Sequence, residues 1–288
     1  MHSSILEHYR AFGPFTYPGL YQELLVSDLP ADIREIGRLV RLQFIHKMTL
    51  YAGRAGHSVN PAYGDVNKVP WYRQGEDDYF PTVAAMLAEL YRRDSRGLVA
   101  DRAVEDKLIL TCRFVALLMA GILKARGIAA RVRPGYAPYI HSERIEDHWI
   151  TQYWQASEQR WITIDVDTSF EQRPFDAYDM PSTAFDFASH AWLAIREGSA
   201  EADAYRFYGD SALPELAAQV VCDLHCLMNS EITYTQYPAY VTLDFEGEKL
   251  QAIDALARLL LEPDHNFSQL QTIWETNRDF RVLKGSLI

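Results

Sequence analysis

The segment TCRFVALLMAGILKARGIAARVRPGY, residues 111–136, carries most of the information about the fold. From about residue 107 to residue 126, apolar side chains occupy every side of a helical projection, which is typical of a helix buried all round. Gly127 then stands where a helix C-terminus favours a left-handed residue. The alternating residues 130–133 predict a strand, which Pro134-Gly135 would end. The segment therefore predicts a buried helix followed directly by a strand.

Two further strands and several flanking helices complete the predicted order of elements. The strands cover residues 148–154 and 160–167, with a polar turn between them. A helix followed by a strand and a hairpin predicts an α+β fold, in which the buried helix packs on a small antiparallel sheet. Helical periodicity also predicts helices at residues 32–51, 82–93, 184–198, 213–229 and 247–261.

The chain is expected to have three regions around this centre. Residues 1–105 form an N-terminal helical and loop region, residues 106–182 form the core, and residues 183–288 form a C-terminal helical region. The length of 288 residues suits one large domain or one domain with a helical elaboration. With 48% hydrophobic and 23% charged residues, the composition is that of an ordinary globular protein.

Charge and cysteine content exclude some classes of protein. The formal net charge is −11, from 28 Lys and Arg against 39 Asp and Glu, so phosphate backbones are repelled and we expect no nucleic-acid partner. Three cysteines make no disulfide framework and favour reduced thiols. Residues 1–10 show no signal-peptide pattern, and no apolar run is long enough to span a bilayer. We expect a cytoplasmic protein without membrane association.

Cys112, His148 and two aspartates have the chemistry of a thiol-dependent catalytic centre. Cys112 lies near the start of the buried helix, with Thr111 as a candidate cap residue, and a helix N-terminus favours a thiolate. His148 opens the second predicted strand. Asp165 and Asp167 share one face of the third strand, which is its partner. These residue types supply a nucleophile, a base and a carboxylate that orients the base.

The register of the hairpin determines which aspartate meets His148. If Gln155 pairs with Arg160, Asp167 falls directly opposite His148. A register shifted by two residues places Asp165 there instead. Both carboxylates lie within direct or diagonal cross-strand reach, so geometry alone leaves the two aspartates as alternatives.

The same residues resemble the transglutaminase-like superfamily, whose members have a papain-like Cys-His-Asp fold. The flanking residues 174–181 are similar to an uncharacterised bacterial branch of that superfamily. The matching motifs are Cys112 at the head of an apolar helix, Gly127-Ile128-Ala129-Ala130-Arg131, Gly135-Tyr136, Asp147-His148-Trp149 and Trp161-Ile162-Thr163-Ile164-Asp165. The last motif implies Asp165, rather than Asp167, as the orienting carboxylate. Phe114 departs from the pattern, because the family often has an acidic residue two places after the cysteine.

The resemblance implies acyl transfer at an amide or peptide-like substrate. Cys112 attacks the carbonyl and forms a thioester, His148 protonates the departing amine, and Asp165 holds the imidazole. Water would resolve the thioester in an amidase or peptidase, the favoured alternative, whereas an amine would resolve it in a transglutaminase-type transferase. No metal or organic cofactor is required. For the oxyanion, the Cys112 N–H and Trp71 are the candidate donors. The third alternative is a binding scaffold with an inactive centre.

A second cluster of thiols lies in the C-terminal region. Cys222 and Cys226 are four residues apart on a predicted helix, and His225 or His190 could complete a metal site with them. A closed zinc site needs four ligands. The favoured interpretation is therefore that these residues pack in the helical core.

Overall fold

The computed structural model describes residues 2–141, 143–206, 212–233, 236–241 and 245–284, and these residues form an α+β fold. The helices are α1 (Ser3–Arg10), α2 (Gln22–Ser27), α3 (Ile33–Leu42), α4 (Lys47–Arg54), α5 (Val83–Arg93), α6 (Cys112–Ala125), α7 (Ala188–Arg196), α8 (Ala212–Leu227), α9 (Glu248–Leu261) and α10 (Phe267–Thr276). The strands are β1 (Phe44–His46), β2 (Leu108–Leu110), β3 (Ala130–Ala137), β4 (Glu146–Gln155), β5 (Arg160–Ile164), β6 (Asp186–Phe187), β7 (Tyr237–Pro238) and β8 (Leu283–Lys284).

The chain divides into two compact units. Unit 1 comprises Met1–His8, Arg131–Trp149 and Pro181–Ile288, and unit 2 comprises Tyr9–Ala130 and Ile150–Met180. A four-stranded sheet has the order β5-β4-β3-β6, and β4 passes from unit 1 into unit 2 along its own length. In unit 1, β3 pairs antiparallel with β6, and α7 packs against α8 and α9.

Helix α6 is the centre of unit 2. Every residue from Cys112 to Lys124 is buried, and α2, α3 and α5 pack around the helix. Its apolar residues on all sides have neighbours to contact, which explains why no polar face is present. The helix ends as the sequence predicts, because Gly127 has φ +75° and the N–H of Ile128 returns to the carbonyl of Leu123.

Two short parallel strands, β1 and β2, determine where α4 and α6 begin. Phe44 pairs with Leu108, and His46 pairs with Leu110. Each strand is followed at once by a helix, so the N-termini of α4 and α6 lie at the same end of the pair. The three residues of β2 are fully buried, which makes this pair part of the core of unit 2.

Several predicted boundaries were wrong. The expected helix over residues 32–51 is broken by β1, whose apolar residues pair with β2 instead of continuing the helical repeat. Residues 108–110 form that partner strand and not the start of the buried helix. Strand β3 continues through Pro134-Gly135, where Gly135 pairs with Phe187.

Strand β5 is shorter than expected, and several elements were not predicted. It ends at Ile164, because the N–H of Asp165 donates to the carbonyl of Ala177 rather than to a strand partner. The predicted helix over residues 82–93 is confirmed by α5, with Thr82 accepting from the N–H of Ala85 as its cap. The element order also gains β6 and α10, which the periodicity did not predict.

Buried Lys107 gives unit 2 a pH-dependent stability. Its ammonium donates to the carbonyl of Tyr63 at 3.1 Å, and burial, with smaller effects of Arg41 and Arg102, lowers its pKa from 10.5 to about 8. Between those values the unfolded chain holds a proton that the folded chain has lost, so stability rises with pH. We expect Lys107→Met to remove about 1–2 kcal/mol of this rise between pH 8 and pH 10.

Urea unfolding of both proteins across this pH range checks the expectation, because groups common to both cancel in the difference. The matched control is Lys68→Met, since Lys68 is an exposed lysine of unit 2. Parallel stability curves for the wild type and Lys107→Met would contradict the assignment.

Candidate active site

Cys112 is the first residue of α6 and is 4% exposed. A thiol in this position lies at the positive end of the helix dipole, which favours its thiolate. Thr111 is the N-cap, as predicted, but its side chain does not cap the helix. Instead, its backbone N–H and its hydroxyl both donate to Oδ1 of Asp77 at 3.0 Å. Lys47 pairs with the other oxygen of Asp77 at 3.0 Å and balances that charge.

His46 is the imidazole that unit 2 places at this thiol. It is the last residue of β1, paired with Leu110, so only Thr111 separates its strand partner from Cys112. A side-chain hydrogen bond with Cys112 is among the causes that raise the pKa of His46. It also caps α4, because Nδ1 accepts from the N–H of Met48 at 3.3 Å. No pattern in the sequence indicated His46 as part of this site.

Asp167 supplies the carboxylate of the same group. Its Oδ2 lies 4.0 Å from Nε2 of His46, and its Oδ1 lies 3.6 Å from Nε of Arg41. The Arg41 side chain is only 1% exposed, donates to the carbonyls of Asp167 and Phe44, and lies 4.3 Å above the ring centre of Tyr63. Unit 2 thus brings together a thiol, an imidazole and a carboxylate that a buried guanidinium anchors.

Charges around His46 favour its protonated form. Burial is the largest influence and lowers the pKa of His46, whereas the charge of Asp167 and both the hydrogen bond and the charge of Cys112 raise it. Arg41 opposes them, and the net result is a raised pKa. An imidazole in this environment can donate a hydrogen bond to a neighbouring thiolate and stabilise it.

Asp165, the predicted orienting carboxylate, is fully buried just after β5 in unit 2. Its Oδ1 accepts from the N–H of Thr168 at 3.1 Å, and its Oδ2 accepts from the Thr168 hydroxyl at 2.6 Å. These bonds fix the carboxylate. A fixed carboxylate is what an orienting residue requires.

His148, the predicted base, lies in β4 within unit 1 and is 2% exposed. Its ring makes edge contacts with Tyr139 and Phe185, with ring centres 6.4 and 6.5 Å away. The predicted triad is therefore divided between the units, with Cys112 and Asp165 in unit 2 and His148 in unit 1.

The hairpin has the first of the two registers considered from the sequence. Gln155 pairs with Arg160, and the pairing runs to Thr151 and Ile164. Both aspartates lie beyond the end of β5, where the chain has left the regular strand. Their side chains are therefore positioned by loop contacts: Asp165 by Thr168, and Asp167 by Arg41 and His46.

The remaining candidates from the sequence are an oxyanion donor and a metal ligand, and neither lies in an environment suited to that role. Trp71 is 85% exposed and packs edge-on against Tyr72, so its indole is largely in water, where a donor contributes little to oxyanion stabilisation. His225 bonds through Nε2 to the carbonyl of Phe280 at 2.8 Å and contacts Trp274. The described residues hold no group of three or more His, Cys, Asp or Glu side chains arranged for a metal ion.

Comparisons with protein-family models, with curated proteins and with solved structures found no match. Within the ranges that the structure describes, no helix combines the length and the apolar character needed to cross a bilayer.

Proposed function

We propose that this protein is a cysteine-dependent enzyme that transfers acyl groups from amides through a thioester on Cys112. The observations that carry the proposal are the position of Cys112 at the N-terminus of α6 and the pairing of β1 with β2, which places His46 opposite Leu110, two residues before Cys112. A core thiol that only fills space needs neither an imidazole partner nor the positive end of a helix. Both features lower the pKa of a thiol and so prepare it as a nucleophile.

The reaction that follows has two halves. The Cys112 thiolate adds to the amide carbonyl, the π electrons move onto oxygen, and collapse of the tetrahedral intermediate expels the amine. His148, as the sequence resemblance implies, protonates that amine, with Asp165 holding its imidazole. In the second half His148 removes a proton from the acceptor, which then displaces Cys112 from the thioester.

Water is the favoured acceptor, which makes the protein an amidase or peptidase on a transglutaminase-like, papain-like core. A transferase of the transglutaminase kind uses the same thioester and differs only in the acceptor. Release of ammonia from a glutamine-containing peptide separates the two. A hydrolase releases it without an added amine, whereas a transferase requires the amine and incorporates it into the peptide.

The pH profile of iodoacetamide labelling at Cys112, followed by peptide mass spectrometry, tests the proposal. A thiolate stabilised by imidazole and helix dipole is expected to label with a midpoint at least one unit below the free-thiol pKa of about 8.5. Cys222 is partly exposed and provides an internal standard in the same digest. If Cys112 titrates like a free thiol, or resists labelling in mild denaturant as well, the binding-scaffold alternative replaces the enzyme.

A further inference from the structure

His46 contacts the nucleophile but has a ring environment unlike that of a general base. Its Nδ1 accepts from the backbone N–H of Met48, so in the neutral ring the proton is on Nε2. When the ring is protonated, Nε2 keeps its hydrogen and Nδ1 gains one. Nε2 therefore carries a hydrogen in both states, with Asp167 4.0 Å away.

We infer that His46 is a catalytic hydrogen-bond donor whose Nε2–H binds the sulfur of Cys112, and then the oxyanion formed on it, under the orientation of Asp167. This role rests on the proposed function of Cys112 as a nucleophile. His46 would then be the side chain that stabilises the oxyanion, a role for which Trp71 was only a candidate from the sequence.

His46 is assigned as a donor rather than a base because of where its ring hydrogens lie. A base that takes the Cys112 proton must offer a free ring nitrogen to the S–H group. In His46 the accepting nitrogen is engaged by Met48, where the ring serves as the N-cap of α4. The remaining nitrogen carries a hydrogen and can only donate. The base must therefore be another group, and His148 keeps that role.

The charges on every side of His46 suit a donor to an anion. Asp167 and the Cys112 thiolate favour a positive ring, and Arg41 opposes them. On the adjoining helix start, the ion pair of Lys47 with Asp77 contributes charges that balance each other. The net effect raises the pKa of His46, and the Nε2–H of a charged ring is a stronger donor than that of a neutral ring; the N–H of Met48, which needs an unprotonated Nδ1, opposes this charging.

Asp167 is held where it can orient the ring without taking its proton. The separation of 4.0 Å between Nε2 and Oδ2 exceeds a hydrogen bond, so the carboxylate acts through its charge. Its Oδ1 is buried and has no hydrogen-bond partner among the described residues, and Arg41 lies 3.6 Å away. A carboxylate oxygen left without a hydrogen bond next to His46 leaves room for a contact that forms when substrate binds.

Protons and electrons balance in the attack of Cys112 on the amide carbonyl. The thiolate electron pair forms the S–C bond, the carbonyl π pair moves to oxygen, and the Nε2–H of His46 turns from sulfur to that oxyanion without leaving nitrogen. Sulfur and oxyanion share one carbon, so a donor that reaches the sulfur needs only a small movement to reach the oxygen. Collapse then returns the electron pair to the carbonyl as the amine departs with a proton from His148.

Substitution by glutamine and by leucine separates a donor from a base. Glutamine keeps an N–H donor at similar reach but cannot take up a proton, whereas leucine removes both functions. The probes are iodoacetamide for the pH midpoint of Cys112 and p-nitrophenyl acetate for the rate of its acetylation. The matched control is His57→Leu, since His57 is an exposed histidine of the same unit, and thermal unfolding verifies that each variant folds.

We expect His46→Leu to raise the midpoint by about one pH unit and to slow acetylation roughly 10²-fold, with His46→Gln recovering most of the rate. Asp167→Asn is expected to shift the midpoint in the same direction by less. Wild-type rates in His46→Leu, with Cys112 reactive in the wild type, overturn only the role of His46. Equal impairment of both His46 variants also overturns it and identifies the ring as a base. An unreactive wild-type Cys112 overturns the proposed function itself.

Discussion

Replacing His148 with alanine is expected to trap the protein as an acyl-enzyme. With p-nitrophenyl acetate at about pH 9, where the thiol ionises without a base, Cys112 still becomes acetylated, because an activated ester needs no proton for its leaving group. Release of the acetyl group requires a base to deprotonate water, and loss of that base slows it by roughly 10²- to 10⁴-fold. Rapid mixing should therefore show a burst of p-nitrophenolate followed by almost no turnover, and intact-protein mass spectrometry should show one acetyl group on Cys112.

The control for this experiment is His141→Ala. His141 belongs to the same unit, seven residues earlier, and its side chain is 64% exposed, 3.9 Å from Glu146. Its removal should leave both burst and turnover unchanged. Wild-type turnover in His148→Ala would show that another group activates water, and the division of roles between His46 and His148 would be wrong.

Glu76→Ala is expected to cost about 3 kcal/mol of unfolding free energy or more. Glu76 is 8% exposed, and its carboxylate accepts from the N–H of Ile109 in β2 at 2.9 Å. It also pairs with Arg73 at 2.8 Å and Arg93 at 2.9 Å, whose side chains are 11% and 9% exposed. The substitution leaves Arg73 without its carboxylate, whereas Arg93 keeps Glu89 at 2.7 Å. A largely buried charge without its partner is strongly destabilising.

Equilibrium unfolding in urea measures the effect, with Asp101→Ala as the matched control. Asp101 pairs with Arg96 at 3.1 Å, but both side chains are exposed, so its loss should change stability by less than about 1 kcal/mol. Because Glu76 bonds to both the N–H and, through its backbone, the carbonyl of Ile109, it holds β2 just ahead of Cys112. A cost for Glu76→Ala as small as that of the control would contradict this anchoring role.

The local signals around Cys112 were predictable because they lie within a few residues of one another. The N-cap position of Thr111 and the left-handed Gly127 both follow from the chemistry of helix ends and are confirmed. The sequence left two registers of the hairpin open, and Gln155 pairs with Arg160 in the first of them.

His46 could not be predicted in the same way. Its place beside Cys112 depends on the parallel pairing of β1 with β2, two short strands that are far apart in the chain. Helical periodicity runs through residues 32–51, because apolar residues in a three-residue buried strand cannot be distinguished from a helix face by spacing. The residues next to His46 in the sequence do not indicate that its side chain lies near Cys112.

The two aspartates show a similar limit. A register argument assumes that the strand continues, but β5 ends at Ile164 and loop contacts then place both carboxylates. Asp167 joins Arg41 and His46. Asp165 is fixed by Thr168, and its part in orienting His148 stays a prediction. Asp167 is placed by residues far away in the chain and Asp165 by a residue three positions later, and cross-strand spacing encodes neither contact.

The most direct test of Cys112 as the nucleophile is acetylation of the 288-residue protein by p-nitrophenyl acetate at pH 6. Intact-protein and peptide mass spectrometry then locate the acetyl group. We expect one acetyl group on Cys112, formed within the first turnover. Neutral hydroxylamine should remove it, as it removes a thioester, and Cys112→Ala should not acquire it. Acetylation that is confined to lysines, or equally slow at Cys112 and Cys222, would contradict a nucleophilic role for Cys112.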